Sequence, residues 1–121
     1  MTTQVLICDD SQMARKQVAR SLPDDWDVEI SYASNGMEAL AAIRAGNAEI
    51  VFLDLTMPEL DGYGVLQAVR DESLKSMFIV ISGDIQPEAV NRVKALGAID
   101  FIRKPVSAYK LRETLAAYGL L

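Results

Sequence analysis

Five short apolar runs alternate along this chain with five stretches that carry apolar residues at helical spacing. The runs span residues 5–8, 28–33, 50–53, 78–81 and 99–102. Four of them are nearly continuous, as strands buried on both faces are. The other, Val28-Glu29-Ile30-Ser31-Tyr32, alternates with period two, as an edge or half-covered strand does. Ser11 and Asn35 stand where helix caps are needed, Pro87 suits a first helical turn, and Ser107 opens the last helix. Gly46 and Gly97 stand at helix ends. Ala14, Val18 and Leu22 make the apolar stripe of the first helix; Leu111, Leu115 and Tyr118 share one side of the fifth. Strands and helices in strict alternation predict an α/β fold, with one layer of parallel strands between two layers of helices.

A chain of 121 residues suits one domain, 1–121, and half of it is hydrophobic, enough to fill a core. The chain stops just after the fifth helix, at Gly119-Leu120-Leu121, so no output domain is expected to follow. The net charge of −5 argues against binding to nucleic acid or to an anionic membrane. No basic leader and no membrane-length apolar run is present, and the single cysteine, Cys8, fits a reducing cytoplasm. The chain has no histidine, which excludes Ser-His-Asp and Cys-His catalysis, HExxH zinc sites and a self-contained phosphohistidine relay. Met13, Met37, Met57 and Met77 read as core or turn packing, Cys8 as a small buried strand residue, and Trp26 as a shield over the joint between first helix and second strand.

The polar residues of interest fall at strand ends: Asp9 and Asp10, Asp54, Ser82 and Lys104. Ligands of open parallel sheets bind at the carboxyl ends of the strands. Three carboxylates brought together by two strands repel one another unless a cation lies between them. Mg²⁺ fits: Asp10 and Asp54 as direct ligands, Asp9 through a water, and the Thr56 backbone carbonyl completing the protein's share of the shell. Asp54 would then be the nucleophile, since a carboxylate can form an acyl phosphate. Lys104 would neutralise phosphoryl oxygens, with no other cation expected nearby, and the Ser82 hydroxyl would hydrogen-bond one of them. Each residue also has a plainer reading. Asp9 and Asp10 before Ser11 suit a cap or turn, Ser82-Gly83-Asp84 an ordinary turn, and a lysine before proline is usually solvated.

The combination resembles the response-regulator receiver domain, the family of the single-domain chemotaxis regulators. The likeness is carried by Asp9-Asp10-Ser11, by Ala33-Ser34-Asn35-Gly36-Met37-Glu38-Ala39-Leu40, by Asp54-Leu55-Thr56-Met57-Pro58-Glu59-Leu60-Asp61-Gly62, by Ser82-Gly83, and by the run from Gly97 to Lys104-Pro105. It implies a doubly wound, flavodoxin-like sheet of order 2-1-3-4-5 with five helices. It implies Asp54 as phospho-acceptor, charged by a histidine kinase or phosphotransfer protein, and a cis Lys104-Pro105 peptide. It also implies a switch in which Ser82 moves inward and Phe101 follows, altering the face made by the fourth helix, fifth strand and fifth helix for a downstream effector protein. A phosphatase is a further possible partner, and Thr56 and Asp84 stand where the family tunes dephosphorylation. Phe101 lacks a hydroxyl, Ser82 lacks the methyl of a threonine, and Gly83 leaves the site open.

Three rival readings compete. A metal-dependent phosphatase would carry a second Asp where Thr56 stands. A phosphate-independent interaction module has no need of the acidic trio with a lysine. A nucleotide-binding flavodoxin-like domain would need a glycine-rich loop after the first strand. The chain reads either as a stand-alone shuttle without turnover activity or as a receiver excised from a larger, for instance DNA-binding, regulator.

Overall fold

Backbone pairing and side-chain alternation together decide how the apolar runs are used. In the computed structural model, which describes residues 2–83 and 86–121, strands and helices strictly alternate. They are β1 Thr3–Cys8, α1 Gln12–Ser21, β2 Val28–Ala33, α2 Gly36–Arg44, β3 Ile50–Leu53, α3 Gly62–Asp71, β4 Met77–Ser82, α4 Pro87–Ala95, β5 Asp100–Arg103 and α5 Ala108–Ala117. All pairings are parallel, in the order β2-β1-β3-β4-β5. The doubly wound architecture and the strand order are therefore those expected.

The continuous runs resolve into two cores because successive side chains leave a strand on opposite faces. Val5 and Ile7 of β1, Ile50 and Phe52 of β3, and Ile79 and Ile81 of β4 pack with Val18 of α1, Leu22 just past its end, and Leu111 and Leu115 of α5. Leu6, Cys8, Val51, Leu53, Phe78 and Val80 point the other way, onto Ala39, Leu40 and Ile43 of α2, Val65, Leu66 and Val69 of α3, and Val93 of α4. Trp26 is buried in the first cluster, beside Val18 and Leu22, as its place between α1 and β2 suggested.

The caps behave as read. The Ser11 side chain accepts from the Ala14 amide, Asn35 from Glu38 and Ser107 from Lys110, while Pro87 lies in the first turn of α4. Asp61 caps α3 by accepting from the Gly64 amide. Gly97 ends α4 with φ +107°, a conformation that a side chain disfavours.

β5 closes the sheet at the edge opposite β2, as the order implies, and both of its faces are covered, Ile102 packing in one core and the half-buried Phe101 against the other, while Arg103 is exposed. Several expectations need correction. β5 begins at Asp100 rather than Ile99, because the ladder with β4 is made by backbone groups and is indifferent to where the apolar run starts. Met13, Met37 and Met77 are exposed rather than core; only Met57 of that group is buried. Tyr118 lies beyond the end of α5, largely exposed, with its hydroxyl donating to the Ile99 carbonyl at 2.8 Å.

Candidate metal and phosphoryl site

Register brings the acids together. Cys8 pairs with Leu53, so Asp9 and Asp54 each stand one residue past the last paired position of adjacent strands. The Asp54 amide donates to the Cys8 carbonyl at 3.0 Å, and the Asp9 amide to Ala33 at 3.1 Å. Both side chains are buried, at 4% and 7% exposure, whereas Asp10 is exposed. One carboxylate oxygen from each of Asp9, Asp10 and Asp54 lies within 4.8 Å of the others, the spacing of groups that can share one cation.

Lys104 reaches the same point from the end of β5. Its ammonium lies 2.8 Å from Asp9 Oδ2 and 3.3 Å from Asp54 Oδ1. The Lys104 amide donates to the Ser82 carbonyl at 2.9 Å, and the Lys104-Pro105 peptide is cis, as the resemblance implied. Ser82 is itself buried at the end of β4. The turn reading of Asp9 is also correct: its Oδ1 accepts from the Ser11 amide at 2.9 Å while Oδ2 holds the lysine.

The electrostatics are those of a site with too much negative charge. Burial lifts the Asp54 carboxyl above the ordinary carboxylate range, the Asp9 charge adds to that, and Lys104 only partly offsets it. Burial works against the Lys104 ammonium, but its hydrogen bond to Asp9 and the charges of Asp54 and Asp9 outweigh this and hold it above its usual value. Burial and the neighbouring Asp9 charge push the Cys8 thiol far up, so it is inert packing.

Thr56, two residues beyond Asp54, is exposed in the loop before α3. Phe101 is half-buried and packs against the core on the α2–α3 side. A methyl added at Gly83 would meet nothing within 4 Å, so the site is open on that side. Asp84 lies outside the described residues.

Two contacts were not read from the sequence. Gly62 starts α3 against the backbone of Asp54: a Cβ there would lie 2.5 Å from the Asp54 carbonyl oxygen, so the glycine permits the close approach that seats the loop. Arg15, on the first turns of α1, donates from a guanidinium nitrogen to the Asp9 carbonyl at 2.7 Å. Lys104 is therefore not the sole cation at this end of the sheet. The signal was available, because long side chains near a helix start lean back toward its N-terminus, here toward the acidic loop.

The whole arrangement has close counterparts. The sequence pattern described as "Response regulator receiver domain" matches residues 5–116. A protein-glutamate methylesterase/protein-glutamine glutaminase of Rhodospirillum rubrum is 36% identical over 104 residues, which is 85% of this chain and 28% of that protein. The chain thus spans less than a third of that relative's length. The receiver domain of the putative response regulator NarL from Mycobacterium tuberculosis superposes with a TM-score of 0.86 at 28% identity, covering 98% of this chain and 97% of the other. Chemotaxis protein CheY4 of Vibrio cholerae gives 0.85 at 28% identity, covering 97% and 98%. Fold, strand-end chemistry and these likenesses agree: the chain belongs to the response regulator receiver domain family of two-component signalling.

Proposed function

We propose that this domain takes a phosphoryl group onto Asp54 from a phosphohistidine of a partner kinase or phosphotransfer protein. The observation that carries the reading is the approach of the Lys104 ammonium to both Asp9 and Asp54 at a point where three carboxylates converge. In the transfer, an Asp54 carboxylate oxygen forms a bond to phosphorus as the P–N bond breaks, and the imidazole departs with the bonding pair. The donor must come from outside, since the chain has no histidine.

The donor set fits Mg²⁺, with Asp10, Asp54 and the Thr56 carbonyl as direct ligands and Asp9 through a water. Such an ion neutralises the charge spread over the oxygens of a transferring phosphoryl group. Asp9 is the weakest candidate for direct ligation, because both of its oxygens are already engaged by Ser11 and Lys104. Lys104 and the Ser82 hydroxyl are the groups that follow the phosphoryl oxygens. Ser82 and Phe101 form the switch, and α4, β5 and α5 form the face that a downstream effector protein or a phosphatase reads. The protein assists its own phosphorylation and dephosphorylation and turns over no other substrate. Its place is the cytoplasm with its kinase; among the described residues no helix is long and apolar enough to cross a membrane.

A second reading rests on the methylesterase relative, of which the chain spans 28%. In it the same chemistry governs an effector domain carried on a longer chain.

Incubation with Mg²⁺ and a small acyl phosphate, followed by intact mass measurement, tests the phospho-acceptor. The wild type should gain the mass of one phosphoryl group and Asp54→Ala none. No gain in the wild type, or an equal gain in Asp54→Ala, would remove Asp54 from the role.

A further inference from the structure

Asp9 and Asp10 are neighbours in sequence, and neighbouring side chains of an extended chain point to opposite sides. Both nonetheless bring a carboxylate oxygen to the same place. The chain must therefore turn at the peptide between them, and the orientation of that one peptide decides where Asp10 points. Asp9 is secured three times over, through its amide to Ala33 and through its two carboxylate oxygens to Ser11 and Lys104. Asp10 is exposed, and its carboxylate makes no hydrogen bond or ion pair among the described residues. No partner among the described residues holds its rotamer, so the course of the backbone at Asp10 decides which rotamers can reach the shared point.

The carbonyl of the Asp9–Asp10 peptide is held by a single side chain, Arg15, at 2.7 Å. The base of that arginine is itself fixed: the Arg15 amide donates to the Ser11 carbonyl at 3.0 Å, and the Ser11 side chain caps the helix. The hydrogen bonds from Ser34 hold the Glu38 carboxyl below its usual value, and the Arg15 charge adds a little to this, so Glu38 is within electrostatic reach of the guanidinium. Glu38 Oε1 accepts from both the Ser34 amide and hydroxyl at 2.7 Å.

We infer that Arg15 is a positioning residue for the cation site: its hydrogen bond to the Asp9 carbonyl turns the Asp9–Asp10 peptide so that Asp10 faces the ion. The inference rests on the Mg²⁺ reading above. Its sign separates it from a simple charge effect. A positive group near a cation site weakens cation binding by repulsion, so deleting it should tighten binding if charge were its whole influence. Deleting an orienting clamp does the opposite, and groups that orient metal ligands are worth about ten-fold or more in affinity.

Calorimetric titration of the full chain with Mg²⁺, without any phosphodonor, tests this. Arg15→Ala should weaken binding about ten-fold. In an Asp10→Asn background the same replacement should change affinity by less than about two-fold, since the ligand it orients is already lost. Should Arg15→Ala fail to fold, Arg15→Gln is read in the same way. Unchanged or tighter binding in Arg15→Ala, or a full ten-fold loss persisting beside Asp10→Asn, overturns the inference while leaving the cation site intact. A wild type that binds no Mg²⁺ overturns the inference and the metal reading together.

Discussion

Two carboxylates flank β3, and their circumstances are opposite. Glu49, just before the strand, is exposed and accepts from the Gln4 amide at 2.7 Å, while its backbone pairs with Gln4 and Met77. Asp54, just after the strand, is 7% exposed and shares one ammonium with a second buried acid. The first end of the strand is closed by ordinary backbone hydrogen bonding. The second holds charge that the fold does not fully compensate. Folded proteins keep such uncompensated groups at functional sites and bear their cost elsewhere.

The contrast is most exposed to a test at Lys104. Its removal strands Asp9 and Asp54 together in a buried position. Breaking a fully buried pair costs about 3–5 kcal/mol, and because the Lys104 side chain is 32% exposed the loss should be smaller, about 2 kcal/mol in metal-free buffer. Chemical denaturation with and without Mg²⁺ checks this, and the ion should restore most of the loss. Equal losses in both buffers would mean that no ion enters the cage.

A smaller effect of opposite sign is expected at Asp54. Its folded carboxyl binds a proton more tightly than an unfolded one, so its contribution to stability is present at low pH and is lost as pH rises through the raised value. Asp54→Asn should therefore stabilise the metal-free protein by about 1 kcal/mol at neutral pH. The gain should shrink toward zero as the buffer is acidified below the ordinary carboxylate range. A gain that is independent of pH would show that charge is not its cause. At the other end of the strand, Glu49→Gln should change stability by less than about 0.5 kcal/mol, as exposed substitutions do. A larger effect there would erase the contrast.

The sequence made one half of this contrast visible and hid the other. Unbroken apolar runs ending in Asp9-Asp10 and Asp54 betray buried strands whose tips emerge together, and the caps at Ser11, Asn35 and Ser107 are local chemistry that a linear reading can see. The exposure of Met13, Met37 and Met77 was not visible, because burial there depends on which helix covers which face rather than on composition. Gly62 was legible as part of a motif but not as a contact: only the folded chain shows α3 starting against the Asp54 backbone. Arg15 looked like one more basic residue on a solvated helix until its turn of α1 was set against the acidic loop.

The central claim is that the carboxyl end of this sheet stays electrostatically incomplete until a divalent cation arrives, and thermal unfolding followed by circular dichroism tests it most directly. Saturating Mg²⁺ should raise the midpoint of the wild type by several degrees, because a ligand bound only by the folded state stabilises it. Asp10→Asn should lose most of that rise. An unchanged midpoint in the wild type, or an equal rise in Asp10→Asn, would contradict the account.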